Sequence, residues 1–370
     1  MATSAGDNIV WFNTDAIVIN WETLDGKEMS IEFGLFYDFD IQKGTTQSET
    51  FRRCFSQIEA SERMGVDSIW LAEVHFSPFS VLSSPLIVAS SVATRTSRVR
   101  IGLAVQVLPL ANPLRVAEEA ATLDQISKGR LEFGVGRSGL TRYYRGYNID
   151  YSESSDRFLE AMDVITKAWG NQSFSHEGKF YAFNDVSVEP KPYQKPHPPI
   201  RVATASAETF SMVGRLGYPI FISSTTDEPE LKERLKLYRR ARRDAGHPGP
   251  GDVMLRIPAY VSENAEKART EPEASTMHMI GYSAAQIGSA PNEETADRLQ
   301  RLNTISYDEV LRHKVMHGTP EEVVERIQRY EEELGISGLV LEMNFGGQIP
   351  NELVLNSIRQ LTEKVMPEFK

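Results

Sequence analysis

Eight short apolar segments, each bounded by turn residues, recur along the chain and alternate with stretches of helical periodicity. Each is too short for a helix, and several are almost continuously apolar, as is typical of strands buried on both faces. The segments are 31–37, 68–72, 99–108, 131–135, 200–203, 219–222, 254–261 and 338–343. Strands that alternate with helices predict a parallel sheet, and eight is the number that closes such a sheet into a barrel. We therefore predict an α/β fold, a single (β/α)8 TIM barrel with insertions.

Apolar residues at helical spacing predict helices between these strands. The stretch 155–169 begins with Ser155, which we expect to cap the helix. Thr319 precedes a proline and two acidic residues, a strong helix start. The predicted helices are 48–64, 113–126, 155–169, 228–245, 320–334 and 350–365.

Two stretches interrupt the alternation. Residues 171–198 are typical of an inserted hairpin, with strands at 173–183 and 186–188, and residues 264–318 show little apolar periodicity. A long irregular stretch in a compact domain is usually a disordered segment or a functional lid, so we predict a mobile lid at 264–318. Within it, His313 and His317 are candidates to reach the site. We expect one domain over residues 29–370, preceded by an extension at 1–28.

Composition excludes several classes of protein. A single cysteine among 370 residues forms no internal disulfide and no thiolate metal centre, and no His-x-x-x-His spacing indicates a metal. The net charge of −11 disfavours a nucleic-acid partner. No apolar run reaches the roughly 18 residues of a membrane span, and the N-terminus does not have the pattern of a secretory signal. We expect a cytoplasmic protein.

Polar and glycine residues cluster at the ends of four successive predicted strands. In barrels of this type, chemistry takes place at the carboxyl ends of the strands. The second strand ends near Glu73 and His75, and the fifth ends at Thr204, Ala205 and Ser206. At any one of these ends, ordinary loop chemistry is a sufficient explanation; together they indicate a site.

The segment 134–139 matches the glycine pattern of dinucleotide-binding folds, and Asp156 follows about 20 residues later, where the ribose acid would lie. However, residues 141–155 show no helix start, and three strand–helix units come first. We therefore interpret the segment as a glycine-rich strand end in which Arg137 binds a phosphate. Ser206 and Thr209 form either an anion site at a helix start or a plain cap. Arg157 is either a second cation or a surface arginine.

Several segments resemble the bacterial luciferase-like flavin-dependent monooxygenases, from about residue 31 to residue 370. The second strand and its end carry Trp-Leu-Ala-Glu-Val-His-Phe, and the fourth strand follows Leu-Asp-Gln-Ile-Ser-Lys-Gly-Arg. The segments that carry the resemblance are 70–76, 107–109, 112–119, 123–134, 317–322 and 366–367.

The resemblance implies a cofactor and its contacts. Reduced FMN is expected as a co-substrate, with its ring across the strand ends and its phosphate on Arg137, Ser206 and Thr209. A non-proline cis peptide is expected under the ring between Ala104 and Val105. Gly346 and Gly347, after the eighth strand, offer a competing phosphate site. The full set of expected cofactor contacts is Ala104, Val105, Arg137, Ser138, Arg157, Thr204, Ala205, Ser206 and Thr209.

One position departs from the family pattern. The second strand of the family usually ends in Glu-His-His-Phe, and the first histidine serves catalysis; here that position is Val74. Glu73 and His75 remain, and we expect them to be catalytic, positioning the ring and moving protons. Val74 is equally compatible with a non-catalytic flavin-binding subunit or sensor. A deazaflavin-dependent reductase with the same barrel is a further alternative.

The activity implied by the resemblance is monooxygenation. Reduced FMN and oxygen would form a C4a-peroxide that oxygenates a small, largely apolar organic substrate. The flavin carries the oxygen chemistry, and the protein supplies orientation, proton transfer and exclusion of water. The implied partners are a flavin reductase that supplies reduced FMN and a second copy of the chain in a homodimer.

Overall fold

The computed structural model describes residues 31–288 and 293–370, and it contains all eight predicted barrel strands. β1 pairs in parallel with β2 and β12, and β10 pairs in parallel with β9 and β12, so the sheet closes on itself. The barrel fold is thereby confirmed. The strands are β1 (Glu32–Tyr37), β2 (Ser68–Leu71), β3 (Arg100–Leu103), β4 (Gln106–Val107), β5 (Leu131–Gly136), β6 (Phe174–Glu177), β7 (Ala182–Val186), β8 (Ile200–Ala203), β9 (Ile220–Ser223), β10 (Val253–Val261), β11 (Met316–Gly318) and β12 (Gly338–Glu342).

Helices surround the barrel, and most lie where the periodicity predicted them. Thr319 caps α12 in a capping box, in agreement with the predicted start. No helix among the described residues is long and apolar enough to span a membrane. The helices are α1 (Gln47–Met64), α2 (Pro85–Arg95), α3 (Pro113–Ser127), α4 (Thr141–Gly146), α5 (Ser154–Gly170), α6 (Ala207–Leu216), α7 (Glu228–Asp244), α8 (Ala265–Thr270), α9 (Glu273–Gly288), α10 (Glu293–Thr304), α11 (Tyr307–His313), α12 (Pro320–Leu334) and α13 (Asn351–Gln360).

Two predictions around α5 are wrong. The N-cap of α5 is Glu153, whose side chain caps nothing, and Ser155 already lies inside the helix. The stretch 141–155 is not free of helix, because it contains α4 and a 3-10 turn at Tyr151–Glu153. The polar composition concealed α4, whose two buried residues are the aromatic Tyr143 and Tyr144. This short helix lies directly beside the mouth of the barrel, by which we mean the carboxyl ends of its strands.

The two insertions differ in how well they were predicted. Residues 171–198 contain the expected hairpin of β6 and β7, but both predicted strand bounds are wrong. The turn lies between Gly178 and Tyr181, inside the predicted first strand, and the second strand spans 182–186 rather than 186–188. Residues 264–318 are mainly helical rather than irregular, with α8 to α11 followed by β11. Ile280, Tyr307, Val310 and Val315 give this layer its own apolar cluster. Residues 1–28 and 289–292 lie outside the described residues.

A single indole fills the centre of the barrel. Trp70 on β2 is fully buried, and its ring lies where side chains on Gly34 and Gly102 would otherwise project. A Cβ on Gly102 would lie 2.3 Å from the ring. The indole Nε1 donates to Ser68 Oγ at 2.9 Å, so its polar group is satisfied in the interior. The barrel is therefore closed below the mouth.

We expect the contribution of His317 to the stability of the protein to fall as the pH drops below about 6.5, because burial lowers the pKa of His317 to about 3. Arg326 adds to the effect, and the unfolded chain therefore binds this proton first. The expected loss is about 2 kcal/mol between pH 7 and pH 5. Urea unfolding at both pH values measures it. His317→Gln should remove this part of the pH dependence, whereas His313→Gln, at an exposed position, should not. Equal pH dependence in the wild type and in His317→Gln would contradict the assignment.

Candidate functional site

Glu73 ties the end of β2 to the start of β4. Its Oε2 accepts hydrogen bonds from Gln106 Nε2 and from the backbone N–H of Val107, both at 2.8 Å. The peptide between Ala104 and Val105 is cis, at the position that the family resemblance implied. The carboxylate thus fixes the chain immediately after this peptide and lies beside the place where the flavin ring is expected.

His75 is buried, with 5% of its surface exposed, and both of its ring nitrogens are engaged. Nε2 lies 2.7 Å from Glu73 Oε1, and Nδ1 lies 3.2 Å from the hydroxyl of Tyr147. Tyr143 packs edge-on against the imidazole at 5.1 Å between ring centroids. Arg142 donates to the carbonyl oxygen of His75 at 3.3 Å. The structure therefore brings the two predicted catalytic residues together as a buried pair.

Local backbone geometry brings Tyr147 over His75. Phe76 has a φ of +52°, which turns the chain sharply after His75. The ring of Phe76 lies against Gly146, where a Cβ would be only 2.1 Å from a ring carbon. Phe76 and Tyr147 are in ring contact at 5.4 Å. Sequence reasoning missed Tyr147; the only signal was its place in an aromatic run after the fourth predicted strand.

Arg137 follows β5 at the mouth, and among the described residues no carboxylate forms an ion pair with it. Its Nη1 is 3.5 Å from Ser154 Oγ, a long contact, and its carbonyl oxygen accepts from the Tyr144 hydroxyl. Ser138 has a φ of +58° and turns the chain away from the strand toward α4. A guanidinium in this state retains donors for an anion.

The N-terminus of α6 follows β8 at the neighbouring strand end. Ser206 caps it, accepting from the backbone N–H of Thr209 at 3.3 Å, and the two hydroxyl oxygens are 2.8 Å apart. Free backbone N–H groups and two hydroxyls at the start of a ten-residue helix favour an anion. The cap at Ser206 is therefore observed, and the anion site at this helix start remains a prediction.

The surroundings of this mouth fit a flavin. Two buried side-chain atoms that lack partners, Gln106 Oε1 and Thr204 Oγ1, belong to strand ends next to Glu73 and Ser206. Gly136 makes room for the side chain of Val105, since a Cβ there would lie 2.8 Å from a Val105 methyl. Buried polar atoms without protein partners at these strand ends are suited to the polar edge of a ring system.

Other predicted site residues are engaged elsewhere. Arg157 pairs with Glu153 at 2.8 Å and lies over the ring of Phe180 at 4.3 Å. The hydroxyl of Tyr307 on α11 lies 3.3 Å from Nδ1 of His317, which is in β11. The carbonyl of Ala205 accepts from Arg234. These contacts leave Ser206, Thr209 and Arg137 as the better-placed anion donors.

The competing phosphate site after β12 is poorly suited to an anion. Gly346 packs against Ser275, whose carbonyl oxygen would be 2.1 Å from a Cβ. Gly347 faces Asp40, with the carboxylate oxygen Oδ2 3.1 Å from the corresponding position. The close backbone at Gly346 and a carboxyl group in place of N–H donors at Gly347 disfavour phosphate binding there.

A carboxylate cluster at the ends of β1 and β12 was not predicted. Asp38, Asp40 and Glu342 each offer an oxygen within 4.8 Å of the others, and Arg256 pairs with Glu342. Burial raises the pKa of Glu342 to about 7, against the opposing charge of Arg256. Burial, followed by the charges of Asp38 and Glu342, raises the pKa of Asp40 well above its ordinary value. The cluster therefore retains protons near neutral pH.

The helical layer 264–318 touches the loop that follows His75. The hydroxyl oxygen of Tyr282 on α9 lies 3.2 Å from Ser77 Oγ. The ring centroids of Tyr282 and Phe79 are 4.4 Å apart. His278 contacts Phe79 at 5.6 Å. This layer therefore borders the mouth on the side of the catalytic pair, and its role as a lid remains a prediction.

Comparison with known proteins gives a family match. The sequence profile described as luciferase-like monooxygenase matches residues 31–337. The chain is 32% identical over 224 residues to an alkanal monooxygenase alpha chain from the Kryptophanaron alfredi symbiont, covering 60% of this chain and 63% of that protein. It is 26% identical over 342 residues to the alkanal monooxygenase alpha chain of Photorhabdus laumondii, covering 88% and 94%. The first alignment therefore spans less than two thirds of its relative.

A solved structure shares the fold. The type II Baeyer–Villiger monooxygenase from Pseudomonas putida, the oxygenating constituent of 3,6-diketocamphane monooxygenase, was solved in complex with FMN. It superposes with a TM-score of 0.78 at 18% identity, covering 92% of this chain and 99% of that one. At this identity the likeness establishes the barrel and its layout.

Proposed function

Because its match spans most of the chain, this protein belongs to the luciferase-like monooxygenase family, and we propose that it is a flavin-dependent monooxygenase that uses reduced FMN. Its substrate, in this proposal, is a small, largely apolar organic molecule, and oxygen is the second substrate. The observation that carries the proposal is the set of groups at the mouth: Arg137 and the start of α6 offer anion donors at strand ends that also hold two buried polar atoms without protein partners.

Within this proposal the residues have four roles. Arg137, Ser206 and Thr209 hold the phosphate, while Ala104, Val105 and Thr204 border the ring. Bound reduced flavin supplies the electrons that activate oxygen. Glu73 and His75 hold and move protons at the edge of the ring. Phe76 and Tyr282 border the mouth and exclude water, which protects the reaction from wasteful side steps.

The alternative of a non-catalytic flavin-binding subunit rests on Val74. The intact pair of Glu73 and His75 favours an enzyme, because their hydrogen bonds do not involve the side chain of Val74, the position at which the family usually has a histidine. Oxygen uptake with photoreduced FMN and a panel of aldehydes, ketones and terpenoids separates the two. Products heavier by one oxygen atom support the enzyme. Uptake that yields only hydrogen peroxide with every substrate class supports the binding subunit.

We expect Arg137→Ala to weaken the binding of reduced FMN by about 10- to 150-fold, since a hydrogen bond to a charged group contributes about 1.5–3 kcal/mol. Ser206→Ala should cost less, because it removes a neutral donor. Anaerobic fluorescence titration measures both dissociation constants. Arg145→Ala, on the exposed side of α4, is the matched control and should bind normally. A dissociation constant for Arg137→Ala equal to that of the control would refute the phosphate role.

Two partners belong to the same proposal. A separate flavin reductase would supply reduced FMN, as the family resemblance implies. The homodimer remains an expectation from the family resemblance.

A further inference from the structure

The contacts of His75 limit what its imidazole can do directly. Nε2 is occupied by Glu73 at 2.7 Å, and Nδ1 is occupied by Tyr147 at 3.2 Å. The ring is buried, and its edge and face are covered by Tyr143 and Phe76. His75 therefore has no ring nitrogen that faces a ligand in the mouth.

The contacts of Glu73, at one end of this hydrogen-bond network, determine the direction of its hydrogen bonds. Gln106 and the backbone of Val107 both donate to Glu73 Oε2, and two N–H donors on one oxygen favour the ionised carboxylate, which accepts at both oxygens. Its other oxygen therefore accepts the proton of His75 Nε2. A neutral imidazole with a proton on Nε2 has a lone pair on Nδ1. The network thus assigns Tyr147 as the donor to His75.

Tyr147 is the outermost member of this chain of groups. It retains 45% of its surface exposed, against 5% for His75. Burial, together with the charge of Glu73, raises the pKa of its hydroxyl, which stays protonated at neutral pH. The tyrosine hydroxyl is therefore the point at which a proton can enter or leave the buried pair.

We propose that Tyr147, His75 and Glu73 form a proton relay in which the Tyr147 hydroxyl exchanges the proton with the ligand. The inference rests on the proposed function and assigns it a proton donor in place of the histidine absent at Val74. When a ligand group releases a proton to the Tyr147 oxygen, the original hydroxyl proton passes to His75 Nδ1. The imidazolium formed is stabilised by the Glu73 carboxylate, as in a catalytic triad. The reverse sequence delivers the proton, and no other reactant is consumed.

The charged and titratable groups around His75 are few. Glu73 faces Nε2, Tyr147 faces Nδ1 and Tyr143 lies edge-on from α4. Arg142 meets the backbone carbonyl of His75 rather than the ring. Glu73 is thus the one carboxylate among the described residues in contact with this imidazole. A pH effect on the relay can therefore be attributed to Tyr147, His75 and Glu73.

The first test needs no flavin. In the full-length chain, the ¹⁵N resonances of the His75 ring identify the protonated nitrogen and the hydrogen bond accepted by the other. We expect an Nε2–H tautomer in the wild type and, in Tyr147→Phe, an Nδ1 resonance shifted to the value of a nitrogen without a donor. Tyr151→Phe, also exposed and in edge-on ring contact with Tyr144, is the matched control. An Nδ1 resonance that is the same in all three proteins would overturn the relay.

The second test is kinetic. With reduced FMN and an accepted substrate, Tyr147→Phe should form product about 100-fold more slowly, within the range for general acid–base catalysis. The limb of the pH–rate profile that belongs to the relay should vanish, while Tyr151→Phe retains both rate and profile. A Tyr147→Phe variant with the wild-type rate and profile would overturn the relay. If the wild type oxygenates nothing, the proposed function and the relay's catalytic role both fail, and the NMR result still decides whether the hydrogen-bonded chain exists.

Discussion

Gly134→Ala is expected to destabilise the barrel by about 3 kcal/mol or more, at the upper end of the range for overpacking. Gly134 lies in β5, and a Cβ at this position would be 1.7 Å from the carbonyl oxygen of Leu103 on β3. That neighbour is backbone, so it cannot turn aside as a flexible side chain would. The methyl group would force β3 and β5 apart, next to the cis peptide and the glycine-rich strand end. Urea unfolding measures the change.

Gly139→Ala is the matched control for this substitution. Gly139 lies five residues further along the same glycine-rich segment, and nothing lies within 4 Å of the position of its Cβ. Its effect should stay within about 0.5 kcal/mol, as for ordinary surface changes. If the two variants unfold at the same urea concentration, the close approach of β3 and β5 is not what requires Gly134.

Glu73→Gln is expected to reduce turnover by about 100-fold or more, the range in which positioned acids and bases act. The substitution keeps the shape of the side chain and removes its negative charge. The amide NH2 of the glutamine must face one of two sides. On one side it meets the N–H donors of Gln106 and Val107, and on the other it meets the Nε2–H of His75, so donor faces donor in either orientation. One contact is therefore lost, and an imidazolium at His75 loses its stabilising carboxylate. Turnover with reduced FMN under saturating substrate measures the effect.

Glu119→Gln serves as the control for charge removal alone. Glu119 pairs with Arg115 on the exposed face of α3 and should leave turnover unchanged. Because the proposed phosphate contacts are Arg137 and the start of α6, Glu73→Gln should still bind FMN. Turnover of Glu73→Gln at the level of Glu119→Gln would exclude a role for the carboxylate in the reaction.

The barrel was predictable because its strands are short, apolar and bounded by turn residues, a pattern that only burial on both faces explains. α2 was missed for a related reason: Pro85–Arg95 is rich in β-branched and small apolar residues, and its helical periodicity is weak. The sequence of the layer 264–318 does not predict its helices, because the 16-residue helix α9 has no narrow apolar stripe at helical spacing.

Part of the candidate site could likewise be predicted from the sequence, and part could not. Glu73, His75 and Arg137 follow strands directly, so their convergence follows from the barrel rule. The contact between His75 and Tyr147 joins residues 72 positions apart and depends on the positive φ of Phe76 and on the absence of a side chain at Gly146. The cluster of Asp38, Asp40 and Glu342 similarly joins the two ends of the chain. Neither arrangement leaves a local pattern in the sequence.

The indole of Trp70 has a consequence for access to the site. It is fully buried against the positions of Gly34, Gly102 and Gly134 and therefore fills the barrel axis below the strand ends. We expect a ligand that reaches Glu73 and His75 to arrive from the mouth, on the side that Tyr282 borders, so that substitutions along the axis below Trp70 alter stability rather than ligand entry.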